Sequence, residues 1–165
     1  MQTHSHLIRI LALTAVSLAA AAGFAQPKPE PAASEEAIKK AVLETNAKMT
    51  QAANSLDVDA FFTYIVDTDK CVIVQNGTVF KTRQEAMQAV KRGFMGLAKV
   101  DRRFDNPQVT VISPEVALLA SEGTVSATLT DGRTMEARFA VSLIFVHRDG
   151  QWKVLHGHYS TPARM

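Results

Sequence analysis

From Ile38 onward, apolar and small residues return at steps of three and four: Ile38, Val42, Thr45, Met49, Ala52 and Leu56 form one stripe. That spacing predicts an amphipathic helix with one buried face. Ser34 stands where an N-cap belongs. Glu35 and Glu36 follow in the first turn, where the helix dipole favours acids. Asp57 restarts a short second helix, "VDAFFTYI", with Phe61, Phe62 and Ile65 as core positions. "KCVIVQNGTVF" then reads as a small hairpin around Asn76-Gly77, a pair suited to positive φ at both turn positions. Thr82 and Glu85 have the spacing of a capping box and open a third helix, with Met87, Val90, Phe94 and Leu97 inside.

Beyond Val100 the period changes to two. "QVTVI", "VALLASEGTVSATL", "TMEARFAVSLIFVH" and "WKVLHGHYS" read as strands, broken at Ser113-Pro114-Glu115, Asp131-Gly132 and Asp149-Gly150. These connections are too short for parallel crossovers, so the pattern predicts an antiparallel meander. Helices first and strands after make this an α+β chain.

Two-residue turns fix which residues face each other. With Asp149-Gly150 as the turn, Phe145 opposes Val154, Leu143 opposes His156 and Val141 opposes His158. Phe139, Val141, Leu143, Phe145, Trp152 and Val154 then share the core face, with His156, His158 and Ser160 further along it. With Asp131-Gly132 as the other turn, Glu122 opposes Val141 and joins them. Arg138, Ala140, Ser142, Ile144, Val146, Leu155 and Tyr159 fall on the outer face. That face is too apolar to be fully wet, which predicts a homodimer contact. A bulge would shift this register by one residue.

His156 and His158, two apart on a strand, share a face. They fit metal ligation, proton chemistry, a polar pocket end or a wet surface. Metal ligation needs a third ligand within reach, and only Glu122 offers itself, at an awkward distance. No metal and no cofactor is expected. His158 with Glu122 has the makings of an acid/base pair, and Tyr64 of a hydroxyl donor to an oxyanion. The plainer reading for Glu122 is a half-exposed acid paired with Arg103 or Arg138.

The start of the chain alters the compartment. "MQTHSHLIR" carries one firm positive charge, Arg9, and precedes the apolar "ILALTAVSLAAAAG". That run is short for a bilayer, which needs about 20 residues. Gly23-Phe24-Ala25 is a small-x-small cleavage pattern. Residues 1–25 therefore read as a signal peptide cut after Ala25, for a secreted or periplasmic protein without a membrane segment after cleavage. A retained N-terminal anchor is the rival reading. "QPKPEPAAS", residues 26–34, is a proline-rich linker. Residues 35–161 remain for one domain.

Charge excludes little more. The 165-residue chain has a formal net charge of +2, one unit of which leaves with Arg9. There is no basic run, so a nucleic-acid partner is not expected. The Arg102-Arg103 pair is largely cancelled by Asp101 and Asp105. Cys71 is alone in "CVIV" and cannot form an internal disulfide. It reads as a small buried hydrophobe.

Three stretches, "NSLDVDAFFTYIVD", "NGTVFKTRQEAMQAV" and above all "RFAVSLIFVHRDGQWKVLHGHYS", resemble the nuclear transport factor 2-like superfamily, in particular its SnoaL-like and calcium/calmodulin-kinase association-like domains. The resemblance spans about residues 35 to 161. It implies a strongly bent antiparallel sheet wrapped around N-terminal helices, leaving a cone-shaped cavity. It also implies that Tyr64, Glu122, His156 and His158 supply polar groups to that cavity. The isomerase subgroup places an acid on the first strand after the second helix. Here that strand is "CVIVQ", and Asp67 and Asp69 precede it as turn residues, which counts against ketosteroid-type proton transfer. The superfamily holds enzymes, carriers and assembly domains. Three readings therefore stand. One is a module binding a small, partly apolar molecule through Tyr64, His156, His158, Glu122 and Ser160. Another is an isomerase, dehydratase or hydrolase using His158 and Glu122. The last is a non-catalytic homo-oligomerisation domain.

Overall fold

Ser34 opens helix α1 (Glu35–Asn54) by accepting a hydrogen bond from the Ala37 N–H at 3.3 Å. Its buried face is Ile38, Val42, Asn46, Met49 and Ala53, with Thr45 and Ala52 half-buried beside it. Leu56 follows with a φ of 59°, so the helical period stops before it. Asp57 caps α2 (Val58–Phe62) through the Ala60 N–H. Phe61 and Phe62 are buried there edge to face, their centroids 5.3 Å apart. The computed structural model describes residues 33–68 and 70–162. The segment read as a signal peptide, nearly all of the proline-rich segment and Asp69 lie outside the described residues.

Strands β1 (Val72–Gln75) and β2 (Thr78–Phe80) form the expected hairpin, with φ of 48° at Asn76 and 81° at Gly77. Helix α3 (Arg83–Phe94) opens with the capping pair. The Thr82 hydroxyl accepts from the Glu85 N–H at 3.1 Å, and the Glu85 carboxylate reaches back to the Lys81 N–H at 2.8 Å. Arg83 donates to the Phe62 carbonyl at 2.8 and 3.1 Å, tying the start of α3 to the end of α2.

β3 (Leu97–Ser113), β4 (Val116–Leu129), β5 (Thr134–Arg148) and β6 (Gln151–Ser160) form the antiparallel meander. The six-stranded sheet has the order β2-β1-β6-β5-β4-β3. Two features depart from the sequence reading. First, the sheet is mixed, because β1 runs parallel to β6. The chain leaving α2 passes Ile65 beside Val154, with the Val154 N–H bonded to the Tyr64 carbonyl at 2.8 Å, and enters β1 in the direction of β6. Loop length constrains consecutive strands only, and β1 and β6 are far apart in sequence. Second, β3 begins at Leu97 rather than at Gln108. Charged residues hide the alternation of its first half. A register shift between Asp105 and Gln108, with Asn106 at φ 48° before Pro107, bends the strand there.

The core lies between the concave sheet face and the helices. Leu119, Leu143, Phe145 and Val154 are fully buried on the sheet side, opposite Val42 and Phe62. Phe139, Val141, Trp152 and Cys71 are buried as expected.

Candidate functional site

Both hairpins behind the predicted site carry one residue of slip. At Asp149-Gly150 both turn residues have positive φ, and Arg148 pairs with Gln151 as expected. Phe145 still pairs with Val154. Leu155 is then an extra residue, and beyond it Ile144 pairs with His156, Leu143 with Gly157 and Ser142 with His158. A bulge inserts one residue and reverses the facing of all that follow. His156, His158 and Ser160 therefore lie on the outer face, and Gly157 and Tyr159 turn inward. At Asp131-Gly132 only Gly132 has positive φ, and the Leu129 N–H bonds the Arg133 carbonyl at 2.8 Å around a three-residue loop. Glu122 consequently pairs with Ala140 instead of Val141 and also faces outward.

The structure thus does not bring the sequence-predicted residues together. Glu122 is exposed and forms a 2.7 Å ion pair with Arg138, which is its plainer reading. His156 is half-buried; His158 and Ser160 are exposed beside Asn76 and Gly77 on the outer side. Tyr64 lines a separate shallow groove with Lys48 and Trp152. Among the described residues, no cluster of three His, Cys, Asp or Glu side chains has metal-holding geometry.

The concave face does hold a cavity of about 230 Å³, walled by the end of α1, by α2 and α3, and by the inner side of the sheet. Small residues on one face of α3, Ala86, Ala89 and Gly93, leave the space open, and Phe62, Phe94 and Val100 help close it. Three polar side chains reach it: Gln75 from β1, Tyr159 from β6 and Arg102 from β3. Gln75 and Tyr159 are register partners in the parallel pairing, so their shared position follows from it.

Arg102 is held from several sides. Asn54, the last residue of α1, bonds its backbone twice: the side-chain oxygen accepts from the Arg102 N–H at 2.8 Å, and the amide donates to its carbonyl at 3.1 Å. The guanidinium carbon lies 5.4 Å from the Phe139 ring centroid and 5.5 Å from that of Tyr159. Gly123 makes room for this stack, since a Cβ there would collide with the Phe139 ring and the Arg103 carbonyl. The Arg102 Nε is buried without a hydrogen-bond partner. Burial pushes the Tyr159 hydroxyl above its ordinary pKa, and the nearby Arg102 charge partly offsets this. Arg103, next in the chain, faces outward and pairs with Asp101 at 2.6 Å, holding that carboxyl below its usual range.

Sequence reasoning missed Arg102 and Tyr159. Asp101 and Asp105 cancel both arginines in a linear count, yet strand alternation assigns the acids and Arg103 to one face and Arg102 to the other. That signal was available once β3 is recognised as a strand. The Leu155 bulge that turns Tyr159 inward leaves no comparable mark. The cavity lining contains hydrogen-bond donors and no Asp, Glu or His. It is equipped to receive an acceptor group, and it lacks an ordinary general base.

Solved structures share this architecture. A nuclear transport factor 2-like superfamily protein from Salmonella enterica serovar Typhimurium aligns over 80% of this chain and 96% of its own, with TM-score 0.72 and 14% identity. A candidate scytalone dehydratase from Novosphingobium aromaticivorans aligns over 76% and 85%, with TM-score 0.70 and 13% identity. A candidate calcium/calmodulin-dependent protein kinase II association domain from Xanthomonas campestris aligns over 82% and 93%, with TM-score 0.63 and 17% identity. At these identities the likeness is one of fold. None of the curated proteins compared matches the chain. The SnoaL-like domain model matches residues 42–164, in keeping with the bent sheet and its cavity, and the chain belongs to the SnoaL-like family of the nuclear transport factor 2-like superfamily.

Proposed function

We propose that this protein binds a small, partly apolar organic molecule in the cavity of its cone. The carrying observation is the cavity's make-up: an apolar wall with Arg102, Tyr159 and Gln75 as its polar members. Ligand sites commonly combine apolar lining with a few oriented polar groups. Native mass spectrometry of the protein purified from its own compartment tests this, beside Val125→Phe, which fills the cavity, and His158→Ala on the outer face. A small molecule carried by the parent and by His158→Ala but lost from Val125→Phe is expected. Retention by Val125→Phe and loss from His158→Ala would overturn the assignment in favour of the outer face.

A second reading, an isomerase or dehydratase, is supported by the likeness to the candidate scytalone dehydratase and by donors suited to an oxyanion. The proposed acid/base pair of His158 and Glu122 lies away from this cavity, so such chemistry would need its base from the ligand or from water. We also propose export with cleavage after Ala25, on the pattern of residues 1–25. A homodimer is proposed through the outer sheet face, on its Leu118, Ala140 and Ile144; Val146, expected on that face, is instead buried in the core.

A further inference from the structure

Resting on the ligand-binding reading, we infer that the ligand is an organic anion, with a carboxylate or similar planar oxyanion received by Arg102 and an apolar body of about one ring. Arg102 reaches into a cavity whose other named members are uncharged, and it takes part in no ion pair among the described residues. Its Nε is buried and unpartnered. The side chain as a whole is half-buried, and a charge drawn partly out of water is disfavoured unless it is paired and hydrogen-bonded. The two aromatic faces at 5.4 and 5.5 Å offset part of this, and the Tyr159 hydroxyl is close enough to accept from the guanidinium, but the Nε is left without a partner. The donors of a guanidinium form a planar fork that matches a carboxylate with two parallel hydrogen bonds.

Neighbouring arginines show how this chain satisfies a guanidinium elsewhere. Arg83 bonds the Phe62 carbonyl, and Arg103, Arg133 and Arg138 each pair with an acid. The partner absent from Arg102 is one a ligand can bring. Tyr159 and Gln75 stand on the same wall as further donors. Asn54 fixes the arginine's backbone at 2.8 and 3.1 Å, so its reach into the cavity is set before any ligand arrives. The size of the ligand follows from the volume. A dry apolar cavity of about 150 Å³ accepts benzene, so about 230 Å³ suits one ring with small substituents.

The test is isothermal titration of the full chain with 4-methylbenzoate and with its neutral counterpart, 4-methylbenzamide. The parent is expected to bind the benzoate about tenfold or more tightly than the amide, the scale of one charge-assisted pair. Arg102→Gln is expected to abolish that preference while Arg103→Gln keeps it, with thermal melts showing both variants folded. Excess inorganic phosphate should leave benzoate binding in place; displacement by phosphate would show a site for free inorganic anions and overturn the inference. Equal binding of amide and benzoate by the parent overturns the anion assignment while the cavity remains a ligand site. Binding of neither probe, to parent or variant, removes the ligand-binding reading itself.

Discussion

Arg102 and Arg103 are neighbours in the chain and opposites in environment. Arg103 lies on the convex face, largely exposed, with its charge met by Asp101. Arg102 lies on the concave face, stacked between Phe139 and Tyr159, with its Nε unmet. Both come from one run of mostly charged residues, "DRRFD", whose charges sum to zero. The difference teaches that charge balance along a strand is a poor guide to charge balance in space. A strand sorts its residues by parity, and a neutral segment can present a lone cation to one side.

The contrast can be broken or sharpened experimentally. The largest effect is expected at Gly123, which supports the Arg102 stack from beneath. Gly123→Val forces a side chain into the Phe139 ring and the Arg103 carbonyl. Overpacking there should cost about 3 kcal/mol, read by urea denaturation; an unchanged midpoint would contradict the close approach.

Next comes Asn54, which holds the strand at Arg102 through two hydrogen bonds. Asn54→Ala should cost about 1–3 kcal/mol, because it strands a part-buried N–H and carbonyl. The same variant should weaken benzoate binding, whereas a stability loss with full affinity would separate the clamp from the site.

Alkaline pH acts on the interior side. Burial raises the thiol of Cys71 from 9.0, with Arg83 opposing, and the hydroxyl of Tyr159 from 10.0. Both groups hold their protons longer when folded. Their contribution is therefore complete below the unfolded values and is lost as pH rises past about 9 and then about 10. Cys71→Ala should flatten the first part of that decline in a melting-temperature series, and Tyr159→Phe the second. A parent with a flat profile from pH 8 to 11 would sink this expectation. Asp101 shifts the opposite way, so its small contribution falls away in acid, screened by its exposure.

The smallest effect is expected on the convex face. Glu122→Gln removes an exposed pair with Arg138 and should change stability by no more than about 0.5 kcal/mol. Benzoate affinity should also stay constant. A clear loss of affinity would return Glu122 to the candidate site.

The sequence made the element order legible because helices and strands announce their periods. Ser34, Asp57 and the Thr82–Glu85 pair mark helix starts, and each is seen capping. The alternation from Phe139 to Phe145 identified the core face correctly, since each of its residues is buried. What did not carry over was phase. Val154 lies in the register that the turn predicts and His156 does not, because Leu155 between them adds one residue that no turn motif marks. Glu122 slipped likewise through a three-residue loop that Asp-Gly alone does not distinguish from a two-residue turn. The parallel partnership of β1 and β6 depends on how Tyr64 to Val66 dock on Val154, a tertiary matter with no local signature.

The bulge at Leu155 makes the end of β6 resemble a text with two reading frames. In one frame Gly157 and Tyr159 address the interior; in the other, His156, His158 and Ser160 would do so. The sheet alternates in either case, and the hydrophobic residues before Leu155 keep their places. A single insertion or deletion at that point therefore exchanges a phenol for imidazoles at the cavity wall without rewriting a residue. Length at one position of a strand is as much a determinant of interior chemistry as the identity of the side chains that follow.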